Sequence, residues 1–107
     1  MPTVEGRKEI FHIYTKQSKD NDLLAGDIDY DLLAISTEGS SGAAIHGLYD
    51  TAARRSLERL EKLKLSEEDM KTHPSRIITM DDFKSALTQH GYFVQGRFIY
   101  KITKDHH

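Results

Sequence analysis

One hundred and seven residues suffice for one domain with a buried core and no covalent staple. Fifteen basic and seventeen acidic residues are interspersed to a net charge of −2, so no one-signed field draws in a nucleic acid. The absence of cysteine excludes disulfides, thiolate metal sites and cysteine nucleophiles. The longest apolar run, Leu32-Leu33-Ala34-Ile35, is too short to span a membrane, and no secretion signal opens the chain, so a cytoplasmic setting is the expectation.

The pattern is mostly helical. Residues 4–16 place Ile10, Phe11, Ile13 and Tyr14 on one helical face, with Arg7, Lys8 and Lys16 largely outside it. Residues 18–26 are polar and read as a loop. A short helix follows over 29–37, capped by Asp29, with Leu32, Leu33 and Ile35 on its apolar side and Gly39 as its stop.

The longest helix begins at the cap residue Ser41 and extends to about residue 64. Ile45, Leu48, Ala52, Leu57, Leu60 and Leu63 form its stripe, and Arg54, Arg55, Glu58 and Arg59 fall mostly outside. Ser66-x-x-Asp69 has capping-box spacing and predicts one or two further turns. Thr72-His73-Pro74-Ser75 breaks the chain. Thr79-x-x-Asp82 is a second box, opening a helix with Met80, Phe83, Ala86 and Leu87 that Gly91 closes. Beyond it, Tyr92, Phe93, Phe98 and Tyr100 predict an extended pair or β-hairpin. The expected fold is all-α: a four-helix bundle over residues 1–91 and a short extended or hairpin-like aromatic tail over 92–107.

Several motifs fall short of a chemistry. Gly42 to Gly47 and Gly91 to Gly96 have the glycine spacing of a phosphate loop, but Leu48-Tyr49 and Arg97-Phe98 stand where Lys and a hydroxyl are needed. His46 and Asp50, one turn apart, are two metal ligands without a third. Asp27, Asp29 and Asp31 have the spacing that opens a calcium loop, and Glu38 stands at the twelfth place. Leu32 occupies the required glycine position, however, and an acid-rich helix start explains the triplet. Ser40 and Ser41 lack a plausible base. No catalytic or metal-binding residue is therefore assigned.

The ordered set of signals is more informative. Pro2, Glu5, Gly6, Arg7, Ile10, Phe11 and Ile13 come first. Asp27-Ile28-Asp29-Tyr30-Asp31-Leu32-Leu33-Ala34 follows, then Thr37-Glu38-Gly39-Ser40-Ser41-Gly42-Ala43 with Ala52-Ala53 in the next helix. Ile78-Thr79-Met80-Asp81-Asp82-Phe83 with Ala86-Leu87 comes last. Together, over about residues 2–90, they resemble the C-terminal helical lid of an AAA ATPase module. The loop from Asn21 to Asp29 is similar to the first module of the N-ethylmaleimide-sensitive fusion branch, with the valosin-containing branch next.

The resemblance implies a lid that contacts bound ATP or ADP and the neighbouring subunit of a homo-hexamer. Such a lid couples nucleotide state to protein-complex disassembly or vesicle-fusion machinery. It implies Ile10 and Tyr14 beside the adenine and ribose, and Gly42 and Ala43 approaching the purine. Mg²⁺, the Walker motifs and the arginine fingers would lie on a large α/β subdomain ahead of these residues, so the chain is expected to be a piece of a longer ATP hydrolase and not an enzyme alone. Protein clients or adaptors are the implied partners. A glycine at a helix start lets backbone approach a ligand, which agrees with this; an ordinary core face for Ile10 and Tyr14 is the competing reading. The family usually has His where Tyr14 stands and often an acid where Ala44 stands. The alternative function is a non-catalytic helical docking platform for an adaptor or assembly chaperone.

Overall fold

Each α-helix in the computed structural model, which describes residues 1–93, begins at a side chain that accepts a backbone N–H it would otherwise leave unpaired. Thr3 opens α1 (Val4–Asp20), Asp29 opens α2 (Tyr30–Ser36) and Ser41 opens α3 (Gly42–Glu61). Ser66 opens α4 (Glu67–Thr72), and Thr79 opens α5 (Met80–Gln89). Only α5 has the complete reciprocal box: Asp82 N–H donates to Thr79 Oγ1 at 3.2 Å, and Thr79 N–H donates to Asp82 Oδ2 at 2.9 Å. Gly39 and Gly91, with φ of +85° and +86°, turn the chain after α2 and α5 where side-chain-bearing residues are disfavoured.

The class is all-α as expected, with differences in detail. Five α-helices form among the described residues, because the Ser66 cap supports a separate α4, and a 3-10 turn (Pro74–Arg76) follows it. The first helix continues to Asp20, beyond the expected end near residue 16, and the third stops at Glu61. The aromatic tail from residue 94 onward lies outside the described residues.

The core gathers Phe11, Leu33, Ile45, Leu48, Ala52, Ile78, Phe83, Ala86 and Leu87 from four elements and one loop. Phe11 and Phe83 meet edge to face with centroids 6.4 Å apart, and burying each such ring stabilises by about 1.5–3 kcal/mol. The expected apolar faces are corrected at four residues: Ile13, Ile35, Leu57 and Leu63 are exposed. Arg7, expected outside, is buried. Its Nε–H donates to Ala34 O and its Nη1–H to Pro2 O, both at 2.9 Å. Ala34 lies in the last turn of α2, where carbonyls lack helical partners and the helix end attracts a cation. A parallel bridge, Leu24 with Ile78, joins the loop after α1 to the segment before α5.

Candidate functional site

Helices α1 and α3 meet along a ladder that climbs both in the same direction. At the first rung, a Cβ added to Gly42 would lie 4.0 Å from Ile10 Cδ1. At the second, the rings of Tyr14 and His46 are 4.8 Å apart and tilted by 49°. At the third, the hydroxyls of Ser18 and Tyr49 share a hydrogen bond of 2.6 Å. Sequence spacing explains the first two rungs, since Ile10 and Tyr14, like Gly42 and His46, are separated by one helical turn.

Three of the four candidate nucleotide residues thus gather at one crossing. Ile10, Tyr14 and Gly42 are half-buried, and Ile10 and Tyr14 pack on the core with one side. Ala43 is exposed, beside Gly42 in the first turn of α3. Ser41 takes the amides that follow: Ala44 N–H donates to its Oγ at 3.2 Å and Ile45 N–H to its backbone oxygen at 3.1 Å. The core reading and the ligand-wall reading of Ile10 and Tyr14 are compatible here, because each residue has a buried and an open side.

His46 is the residue that sequence reasoning undervalued. Spacing paired it with Asp50, and its Nδ1 does lie 3.6 Å from Asp50 Oδ2, both side chains half exposed. Its contact with Tyr14 depends on how α1 lies against α3, which neither helix's own periodicity contains. No group of three or more His, Asp or Glu able to hold a metal forms among the described residues. Two members of the calcium-like triplet are otherwise engaged: Asp29 accepts from Leu32 N–H at 3.0 Å, and Asp31 pairs with Lys8 at 2.8 Å. Gly42 and Gly47 both lie inside α3, so their spacing makes no phosphate loop.

The other end of α3 is held by charge. Asp82, fully buried, receives Arg59 Nη1–H at 2.8 Å and Nη2–H at 3.2 Å, with Arg55 Nε at 3.4 Å. Arg59 also donates to the backbone oxygens of Ser75 and Ile77. Burial pushes the Asp82 carboxyl up. The Arg59 hydrogen bond, the Thr79 amide and the Arg59 charge outweigh it and hold the group below the usual carboxylate range. This cluster binds α3, the 3-10 turn and α5 together and leaves no acceptor open for a ligand.

An open groove of about 870 Å³ lies apart from the α1–α3 crossing, lined in part by Lys8, His12, Asp31, Met80 and Lys84. Much of its polar lining is already committed. Lys8 pairs with Asp31, His12 stacks on Tyr30 at 3.7 Å, and the Tyr30 hydroxyl bonds Thr15 at 2.8 Å. None of the four candidate residues borders it.

Sequence comparison gives the class: over most of its length the chain is a homologue of AAA-family ATPases. It is 41% identical over 90 residues to an AAA family ATPase of Acanthamoeba polyphaga mimivirus, covering 83% of this chain and 10% of that one. It is 36% identical over 88 residues to the vesicular-fusion protein SEC18 of Candida albicans, covering 81% of this chain and 11% of that one. The chain therefore spans about a tenth of the length of these relatives. No family model matches it. No helix among the described residues is long and apolar enough to cross a membrane.

Proposed function

We propose that this segment is the helical lid of a hexameric AAA ATPase module. In this reading α1 and the start of α3 face the base and ribose of ATP or ADP through Ile10, Tyr14, Gly42 and Ala43. Mg²⁺ and the phosphates are held by a large α/β subdomain, and the lid tilts with nucleotide state against the neighbouring subunit. Protein-complex disassembly in the cytoplasm, of the vesicle-fusion kind suggested by the name of the Candida relative, is the work that tilt would drive. The observation that carries the reading is the convergence of Ile10 and Gly42, from segments with AAA-family likeness, at an unobstructed helix start.

The exposed Leu57 on α3 and Leu63 just beyond its end favour a covered face, and this also suits the second reading, a docking platform for an adaptor or assembly chaperone. An ADP titration followed through the Gly42 and Ala43 amide resonances separates the two. The lid reading expects saturable shifts with affinity on the order of millimolar, weak because the phosphate contacts are elsewhere. Gly42→Val should abolish them while leaving the circular dichroism spectrum unchanged, since the added Cβ meets Ile10 only at ordinary contact distance. Shifts that survive Gly42→Val, or none at all in the unaltered chain, would move the docking platform to first place.

A further inference from the structure

Two His–Tyr pairs among the described residues have opposite character. His12 and Tyr30 are stacked, 3.7 Å between centroids and 21° between planes, so each covers a face of the other. Tyr14 and His46 are 4.8 Å apart and tilted by 49°, so neither ring lies flat over the other. The open pair sits one turn beyond the Ile10–Gly42 rung, and the His46 side chain is about half exposed. The closed pair borders the separate groove.

We propose that His46 is a base-contacting residue of the nucleotide site, making with Tyr14 an aromatic corner that receives a purine. The proposal rests on the nucleotide reading above and extends it to a side chain which that reading does not include. Ile10 offers an aliphatic wall and Gly42 a gap. The tilted rings offer faces for a flat heteroaromatic ligand, and the imidazole offers a polar edge. His46 Nδ1 is turned toward Asp50, which leaves Nε2 on the far side of the ring for the polar edge of the base. Asp50 is in this account a positioning residue, one turn below His46 and in contact with it alone among the described ion pairs. A flat base with hydrogen-bonding edges fits this corner better than a sugar or a phosphate, because its named walls are two rings and an aliphatic side chain.

The test uses the whole chain, with ADP, adenosine and ribose 5-phosphate as separate probes, read by magnetic resonance at the Gly42 and Ala43 amides and the Tyr14 and His46 rings. ADP and adenosine should move all four sets of signals together, and ribose 5-phosphate should leave both rings unmoved. His46→Leu should weaken adenosine binding about tenfold, whereas His46→Gln, which keeps a hydrogen-bonding edge, should stay within about threefold. If ADP shifts the Gly42 and Ala43 amides while the His46 ring stays still, or His46→Leu binds adenosine like the parent, the role of His46 is overturned and the nucleotide reading stands. If ADP moves none of the signals, the nucleotide reading falls and His46 falls with it. Should His46→Leu fail to fold, the ring signals of the unaltered chain decide the matter alone.

Discussion

At Arg59, α3 is fastened to its neighbours by a bidentate charged contact and two further backbone acceptors; at Gly42, half-buried, a side chain added to the same helix would meet only Ile10 of α1, and at ordinary contact distance. The first region has spent its polar groups on itself. Asp82 accepts from two arginines and from the amide of Thr79, so nothing there awaits a partner. The second region keeps ring faces, a glycine and first-turn backbone at the surface. In the proposed reading, stability and binding fall to opposite ends of one helix, and each end can be perturbed without rebuilding the other.

The largest effect should come from the closed end. Asp82→Ala removes the capping box and strands Arg59 beside buried backbone, and it should destabilise the fold by about 2–4 kcal/mol in urea melts. A loss below about 1 kcal/mol would mean that the arginines are solvated substitutes for one another. The same carboxyl sets an acid limit. Its pKa is lower folded than unfolded, so its contribution is present above the unfolded value and disappears as pH falls below about 4 toward the folded value. Thermal melts from pH 6 down to 2 should therefore show a steeper decline for the natural chain than for Asp82→Asn.

Smaller effects sharpen the contrast at the open end. Tyr92 shares a 2.5 Å hydrogen bond with the hydroxyl of buried Ser40, just ahead of the α3 cap. Tyr92→Phe should cost about 1–2 kcal/mol by leaving that hydroxyl with one partner fewer. An unchanged melt would show that water replaces the tyrosine. Ala44→Asp should do the reverse. It completes the box with Ser41 and adds negative charge to the first turn, for a gain of about 0.5–1 kcal/mol. If its melting temperature falls instead, the start of α3 is held by something other than its cap.

Local chemistry was legible in the sequence. Asp29, Ser41, Ser66 and Thr79 cap the helices that their spacing announced, and Gly39 and Gly91 turn the chain where expected. What spacing missed involves partners distant in the chain. Helical spacing puts Arg7 and Arg59 outside the apolar faces of their helices. Arg7 and Arg59 are held instead by carbonyls and a carboxylate from other elements, which no single-helix pattern encodes. The misplacement of Ile13 and Leu57 has the same origin, because periodicity gives a stripe but not how much of it a neighbour covers. At the candidate site, Ile10 and Gly42 were assigned through family likeness and do converge, whereas the pairing of Tyr14 with His46 needed the crossing of α1 and α3.

The bridge between Leu24 and Ile78 bears on the order of folding. Its bonds, Ile78 N–H to Leu23 O at 2.8 Å and Ala25 N–H to Ile78 O at 2.9 Å, join points about half the chain apart. Capped helices can flicker into place within microseconds from contacts only a few residues away, but this clasp must first close a loop that contains α2, α3 and α4. Its entropy cost is recovered only once Phe83 has found Phe11 on the other side of that loop. Hydrogen exchange at Ile78 and Ala25 should therefore report the last event of assembly, while the amides inside α3 gain protection earlier.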